Sequence, residues 1–232
     1  MKTISTSPNL LIASPTRLYR TRLSLVWVLS FCLLQTEAQF FPANRIRIYW
    51  KDSTGVPFMT FDRLRKEHPE AKFIINGGHF THDYKPDGLY IENGKKLSRV
   101  KEILNPKINL EIMPMGVFYL TNQGAFIKPL RGKFTQKDVT YATQSSPMLV
   151  INGRINPALP GGRHRLRSGV GLLPDGRVYF ACMDMELRLF ARHFLEKGCT
   201  QALCLNGDIS DVWQNGQSLK KYSRFGPMIV VE

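Results

Sequence analysis

The chain has 232 residues, 43% of them hydrophobic, which is enough for one sizeable core. Its formal net charge of +14 favours anionic partners such as acidic glycans, phosphodiesters, lipid head groups or nucleic acid. The absence of a Cys-x-x-Cys pair argues against a structural zinc site. A nucleic-acid binder would rest on charge alone, because no recognised binding motif is present and basic and aromatic residues interleave only near 45–51.

The first 38 residues are typical of a secretory signal peptide. Three arginines precede an apolar run of twelve residues at 23–34, which is too short to span a bilayer comfortably. We therefore expect cleavage after residue 38 and a folded domain at 39–232 in the periplasm or outside the cell. The alternative is an uncleaved leader, which would then be the domain's link to a membrane. Without residues 1–38, 28 basic and 17 acidic residues remain, a net charge of about +11.

The part after the leader keeps three cysteines, an odd number. Cys199 and Cys204 could pair in an oxidising compartment. The other interpretation is that Cys204, which lies in an apolar run, is a buried thiol. Both interpretations stay open at the level of sequence.

Strands and hairpins dominate the patterns in chain order. A half-buried strand is predicted at 45–50, and a short helix at 61–67 can be capped by Thr60. A buried strand follows at 71–76. Turn residues between apolar runs then predict four hairpins, centred on residues 93–94, 122–124, 152–153 and 174–176.

One long helix is predicted at 185–197, because its apolar residues fall at helical spacing and Gly198 can end it. Strands at 201–205 and 225–231 follow it. We see no linker after residue 40 and expect an α+β fold. It would be a single domain with a central mixed, largely antiparallel β-sheet, built from hairpins and packed by one long and one or two short helices.

Polar residues collect where strands begin or end. The apolar strand at 73–75 runs into Asn76, Gly77, Gly78, His79, Phe80, Thr81, His82 and Asp83, and paired glycines let a backbone approach a ligand closely. Similar polar stretches lie at 141–146, 163–168 and 206–211. Because a rigid scaffold usually holds functional loops together, we expect these four loops to converge on one side of a sheet.

Five motifs in this order resemble a known family. They are Asn-Gly-Gly-x-Phe at 76–80, Pro-x-Gly-Leu-x-x-x-x-Gly at 86–94, Ala-Thr-Gln-Ser-x-Pro-Met-Leu at 142–149, Arg-x-x-x-Gly-Val-Gly at 165–171 and Leu-x-Gly-x-Ile-Ser at 205–210. Together they resemble the phosphodiester glycosidase domain family, the family of the lysosomal uncovering enzyme, and within it the compact bacterial envelope subgroup. The resemblance runs from about residue 46 to residue 231. It implies an α+β domain that hydrolyses a sugar-1-phosphodiester, such as a GlcNAc-1-phosphodiester.

The chemistry implied by the resemblance assigns roles to residues in these motifs. Cleavage builds positive charge at the anomeric carbon and leaves negative charge on the phosphate, so the site needs phosphate-binding cations or N–H groups and a carboxylate for the sugar side. We assign the phosphate to Arg165 and Arg167. Proton transfer would fall to Asp208, His79 or Asp87. The further substrate-binding candidates are Asn76, Gly77, Gly78, Phe80, Gln144, Ser145, Gly207 and Ser210.

Two points remain open. Asn206 stands where the family pattern leads us to expect Asp, and an Asn cannot exchange protons, so either Asp208 has taken over the catalytic role of position 206 or the chain is a non-catalytic binder of phosphorylated glycans. No cofactor is required by the pattern, although His79, His82 and Asp83 could hold a divalent metal ion. Asp211 is expected to cap the element that follows this turn.

Overall fold

The computed structural model describes residues 39–102, 112–207, 209–220 and 223–232, and these residues lie mainly in strands. Two α-helices, α1 (Phe61–Glu67) and α2 (Leu187–Glu196), and a short 3-10 turn at Ala43–Arg45 accompany the strands. The strands are β1 (Gln39–Phe41), β2 (Ile46–Tyr49), β3 (Phe73–Asn76), β4 (Tyr90–Glu92), β5 (Lys95–Ser98), β6 (Gly116–Thr121), β7 (Gly124–Pro129), β8 (Val139–Ser145), β9 (Met148–Ile151), β10 (Arg154–Ile155), β11 (Arg165–Leu172), β12 (Val178–Met185), β13 (Gln201–Asn206), β14 (Val212–Gln214), β15 (Gln217–Ser218) and β16 (Met228–Val231).

The strands form three sheets. Sheet A has the order β1-β12-β11-β13-β9-β10, sheet B the order β15-β14-β3-β16-β2, and sheet C the order β5-β4-β8-β6-β7. Every strand pair within the described residues is antiparallel. The predicted α+β class is confirmed, but three antiparallel sheets take the place of one central mixed sheet. The short hairpins account for the antiparallel direction of neighbouring strands, because a tight turn can join only antiparallel neighbours.

All four predicted hairpins are present, and they join β4 to β5, β6 to β7, β9 to β10 and β11 to β12. In the first, Asn93 and Gly94 both have positive φ, at 49° and 75°. This is the geometry in which an Asn-Gly turn matches the twist of its strands. Asn215 and Gly216 form a fifth hairpin of the same kind between β14 and β15, which the sequence analysis missed.

The two helices pack through apolar faces. Thr60 caps α1 by accepting a hydrogen bond from the Arg63 N–H at 3.3 Å, as predicted. Helix α2 begins two residues later than predicted, because Met185 is the last residue of β12. Its buried side chains, Leu187, Phe190, Ala191 and Phe194, pack against sheet A residues such as Leu149, Ala181 and Ala202.

The largest apolar core has contributions from all three sheets. Ile48 and Ile75 come from sheet B, Phe118 from sheet C, and Phe180 and Leu203 from sheet A, and each is at most 1% exposed. The three sheets therefore enclose one shared core within a compact unit that spans residues 38–232. In the described part of the chain, no helix is long and apolar enough to cross a membrane.

Cys182, Cys199 and Cys204 are unpaired, buried thiols. Burial raises the pKa of the Cys199 thiol and that of the Cys204 thiol to about 12, so neither is a reactive thiolate at neutral pH. Of the two interpretations left open by the sequence, the buried thiol is the one that the structure supports.

Candidate functional site

The four polar loops converge, as predicted, but they join three sheets instead of lining one. Asn76, at the end of β3 in sheet B, donates from Nδ2 to Ser168 Oγ of sheet A at 2.8 Å. Ser145, at the end of β8 in sheet C, donates to the Leu205 carbonyl of sheet A at 2.7 Å. These hydrogen bonds form a junction that joins the ends of β3 and β8 to sheet A, at Ser168 within β11 and at Leu205 near the end of β13.

Asn76 is the centre of this junction and is fully buried. Its Oδ1 accepts a hydrogen bond from the Asp211 N–H at 3.1 Å, while its Nδ2 donates to Ser168. Ser210 Oγ in turn accepts from the Ser168 N–H at 3.0 Å and donates to the Asn206 carbonyl at 2.8 Å. The predicted residues Asn76, Ser145 and Ser210 thus hold the loops in place, and their contact with a substrate stays a prediction.

Gln144 holds the segment around Lys101 against β8. Its buried Oε1 accepts from the N–H groups of Leu89 and Lys101 at 2.9 and 3.0 Å, and its Nε2 donates to the Lys101 carbonyl at 2.8 Å. All the polar atoms of this side chain are therefore used within the protein. The structure gives Gln144 a positioning role, and direct contact with a ligand is untested.

The paired glycines of the Asn-Gly-Gly motif are explained by close packing. A Cβ on Gly78 would lie 2.0 Å from the Gln144 carbonyl oxygen, and one on Gly77 would lie 2.8 Å from the Pro227 oxygen. The N–H of Gly77 donates to that oxygen at 2.7 Å, and the N–H of Gly78 donates to Thr143 Oγ1 at 3.1 Å. Both N–H groups thus have acceptors inside the protein, so the predicted anion contact is not needed to account for these glycines.

Arg167 is the predicted phosphate-binding cation that lies at the junction, next to Gly207. It is partly buried, its Nε donates to the Met185 carbonyl at 3.0 Å, and its Nη2 donates to the Arg163 carbonyl at 3.2 Å. Its Nη1 would lie 3.1 Å from a Cβ placed on Gly207. Burial, with a smaller contribution from the charge of Arg165, lowers the pKa of Arg167. Among the described residues, no carboxylate oxygen lies within 4.0 Å of its guanidinium.

His79 and Asp87, two predicted catalytic residues, are neighbours. The Asp87 N–H donates to the His79 carbonyl at 2.8 Å, and both side chains are partly buried. The Asp87 carboxylate forms an ion pair with Lys101, at 2.7 Å between Oδ2 and Nζ. The structure therefore holds the two residues together through the main chain, and it pairs the Asp87 carboxylate with Lys101.

Phe80, which follows His79 in the chain, is partly buried. Its ring stacks on Tyr84 with centroids 6.2 Å apart. A Cβ on Gly226 would lie 2.5 Å from the Cβ of Phe80, so this glycine makes room for the phenylalanine.

Among the described residues, the metal candidates His79, His82 and Asp83 do not form a cluster of ligand atoms. Asp83 is exposed and forms an ion pair with Lys85 at 2.6 Å. Its hydrogen bonds with Lys85 and Thr81 lower its pKa to about 2. The group of His, Cys and acidic ligand atoms that lies within 4.8 Å in the described residues is instead His68, Glu70 and Glu232.

A sequence profile for the family described as phosphodiester glycosidase matches residues 69–223, well over half of the chain. This chain belongs to the phosphodiester glycosidase family. The resemblance seen in the five motifs is confirmed, and the assignment supports a hydrolase related to the phosphodiester glycosidases.

Relatives and solved structures agree with the assignment. The YigE protein of Escherichia coli (strain K12) is 30% identical over 204 residues, which cover 82% of this chain and 78% of YigE. The catalytic domain of zebrafish N-acetylglucosamine-1-phosphodiester alpha-N-acetylglucosaminidase, auto-inhibited by its pro-peptide, matches with a TM-score of 0.64 at 13% identity, covering 84% of this chain and 83% of that one. A protein from Synechocystis matches with a TM-score of 0.51 at 14% identity, covering 85% and 60%. At these identities the two structures show a shared fold.

Asn206 is the main departure from the pattern we expect of a phosphodiester glycosidase. Its Oδ1 accepts a hydrogen bond from the Ile209 N–H at 3.0 Å, which closes the turn after β13. An aspartate oxygen would accept the same bond, so this turn is compatible with either residue. Asp208, our first choice for the catalytic carboxylate, lies outside the described residues.

The sequence analysis missed most of what Asp211 does. The residue is 1% exposed, and its Oδ1 accepts from the N–H groups of Val212 and Lys220 at 2.8 and 3.0 Å, as a capping residue would. Its buried Oδ2 has no hydrogen-bond partner in the described structure. Burial raises the pKa of this carboxyl. An aspartate in a polar loop gives no sequence signal of burial, which is why only the cap could be predicted.

Proposed function

We propose that this chain is an exported hydrolase that cleaves sugar-1-phosphodiesters, of the GlcNAc-1-phosphodiester type, in envelope or extracellular glycans. The observation that carries the proposal is the Arg167 guanidinium, which lies beside Gly207 where the family motifs meet and has no carboxylate within 4.0 Å among the described residues. The family assignment supports hydrolysis of this class of bond. The basic and apolar pattern of the leader supports export.

Arg167 would bind the phosphate of the substrate. A guanidinium can grip two phosphate oxygens at once, and its attraction to them is strong where water is partly excluded. The bonds from Nε and Nη2 to main-chain oxygens fix the plane of the guanidinium before any ligand arrives. Arg165, at the start of the same strand, adds a second positive charge. This arrangement stabilises the negative charge that stays on the departing phosphate.

Proton transfer would come from residues on the sugar side. Asp208 remains our first assignment for the carboxylate that faces the anomeric carbon. We assign proton exchange with water or with the leaving group to His79 and Asp87 among the described residues. Their main chains are hydrogen-bonded to each other, and the His79 N–H donates to the Gln144 carbonyl of β8.

The first prediction tests the role of Arg167. The protein lacking residues 1–38 is assayed for release of sugar from a chromogenic or UDP-linked GlcNAc-1-phosphodiester, with and without divalent ions. Arg167→Gln is expected to lower kcat/KM about 100-fold, because it removes a charge-assisted contact to the phosphate. Arg154→Gln, at an exposed position on β10, is the matched control and should stay close to wild type. A panel of such diesters that is neither hydrolysed nor bound would overturn the proposed function.

A second function, binding of phosphorylated glycans without turnover, is favoured by Asn206. The second prediction separates the two functions with Asn206→Asp, which keeps the oxygen that accepts from Ile209. An enzyme that relies on Asp208 should turn over in its wild-type form and change less than about tenfold in the variant. Turnover by the variant alone would show that wild type is a binder that has lost the catalytic carboxylate.

A further inference from the structure

A second positively charged region lies outside the junction. Two adjoining clefts of about 480 and 550 Å³ share Val100 and Glu102 in their walls. Five cations line them, and we call this region the basic cleft; its members are Lys96, Arg99, Lys101, Arg131 and Lys133. Glu102 is the one carboxylate among the lining residues of these clefts that the structure describes.

Most of these cations are not neutralised by neighbours. Lys101 pairs with Asp87, whereas the other four cations have no carboxylate within 4.0 Å among the described residues. All four are exposed. Like charges gathered along a concave surface produce a local positive potential, and walls of low dielectric focus it. The basic cleft is therefore suited to an anion that carries several charges.

Lys101 connects the basic cleft to one candidate catalytic residue, Asp87. Lys101 lines the cleft and also forms the ion pair with Asp87, whose N–H donates to the carbonyl of His79. Gln144 fixes the Lys101 main chain by bonds to both its N–H and its carbonyl. The basic cleft therefore borders the carboxylate of Asp87, one of the candidate catalytic groups.

The cleft has apolar as well as charged walls. Met115 and Leu130 are buried beneath one part, and Leu97 is 43% exposed beside the other. Phe134 is the one aromatic residue among the lining residues in the described chain. Binding of single-stranded nucleic acid usually uses several aromatic rings on which bases stack, so the lining fits a chain of sugars or polyols better than a chain of bases.

We propose that the basic cleft binds the rest of a polyanionic substrate, namely a glycan or polyol chain with repeated phosphodiester groups beyond the bond that is cleaved. The inference deepens the proposed function and rests on it for the identity of that bond. It implies that the natural substrate is a polymer, and that small sugar-1-phosphodiesters occupy only the part of the site next to Arg167.

The third prediction measures binding without turnover. The purified full chain is titrated with a fluorescently labelled poly(glycerol phosphate) chain, and neutral dextran and a single-stranded DNA of equal charge serve as comparison ligands. The triple variant Arg99→Gln, Arg131→Gln and Lys133→Gln is expected to bind the polymer at least about tenfold more weakly than wild type. Its affinity should also fall less steeply as the salt concentration rises, because it makes fewer ionic contacts. The matched triple variant Lys66→Gln, Lys72→Gln and Arg154→Gln removes the same charge from exposed positions outside the cleft and should bind within about twofold of wild type.

Hydrolysis of the small diester separates this inference from the proposed function. Both triple variants should hydrolyse it at the wild-type rate. If wild type hydrolyses the small diester but the two triples lose polymer binding equally, or the DNA binds as tightly as the polymer, the basic cleft is not a substrate subsite. If the polymer binds in the predicted way and no diester is hydrolysed, the proposed hydrolase function is wrong and the cleft remains an anionic-glycan site.

Discussion

At the level of single residues, Asp211 is a polar group of the junction whose burial does not only stabilise the fold. One carboxylate oxygen accepts two main-chain hydrogen bonds, while the other is buried without a partner. A buried carboxylate that lacks a partner on one oxygen lowers the stability of the folded state when it is ionised. Such a residue beside Ser210 and Asn76 is more easily explained by a role in the site than by folding.

The fourth prediction follows from the raised pKa of Asp211. The folded state binds the proton more tightly than the unfolded state, so the cost of Asp211 is absent well below the unfolded pKa of about 3.9 and grows as pH rises through the folded pKa. Asp211→Asn keeps an oxygen for the two N–H donors and removes the charge. We expect the variant to be more stable than wild type by about 1 kcal/mol at pH 7.5, and the gain to shrink towards pH 4.

Thermal unfolding at the two pH values measures this difference, and a gain of this size would raise Tm by roughly 2–4 °C in a domain of this length. Asp175→Asn is the control, and the pH dependence of its effect on stability should have the opposite sign. The reason is that the N–H of Arg177 lowers the pKa of the exposed Asp175 carboxyl. An equal shift for Asp211→Asn at pH 4 and pH 7.5 would mean that ionisation of Asp211 is not the cause.

At the level of elements, the contact between α2 and β11 depends on two glycines of the Arg-x-x-x-Gly-Val-Gly motif. A Cβ on Gly169 would lie 2.9 Å from ring atoms of Phe190 and Phe194, and one on Gly171 would lie 2.6 Å from the Phe194 ring. These glycines let the aromatic face of α2 lie directly on the sheet. A motif that could be taken for a ligand loop is, at these positions, a packing surface.

The fifth prediction is that Gly169→Ala lowers the free energy of unfolding by about 1–3 kcal/mol, because the added methyl overpacks the contact with α2. Urea denaturation measures the change. Gly161→Ala is the control, since the nearest atom to its added Cβ is 3.8 Å away, and its effect should be within about 0.5 kcal/mol. An unfolding free energy unchanged by Gly169→Ala would show that α2 can shift without cost.

Local patterns predicted the elements because their signals lie within a few residues. Asn93 with Gly94 specifies a turn by its backbone preference, and the spacing of Phe190 and Phe194 specifies one face of a helix. The division of the strands among three sheets is set by contacts between distant segments, such as that between Asn76 and Ser168. No short pattern encodes such pairings.

At the level of the whole molecule, the same limit applies to the site. The order of the five motifs was enough to predict the family, and the polar stretches at the ends of predicted strands were enough to predict that the loops converge. It was not enough to separate residues that face a ligand from those that hold the loops, because Ser145 and Arg167 are both polar residues in a motif until their partners are known. The net charge likewise follows from the sequence alone. The clustering of positive charges in the basic cleft does not, because it depends on how the fold brings residues 96–101 and 131–133 together.

The unpaired state of Cys182, Cys199 and Cys204 has a further consequence for how this protein is made. The described part of the chain holds no covalent crosslink, so its folding does not wait for an oxidant or for a disulfide isomerase. Thiols enclosed in the core are also withheld from exchange with glutathione and from mixed disulfides with other proteins. The fold can therefore be reached equally well on either side of a membrane that separates a reducing compartment from an oxidising one.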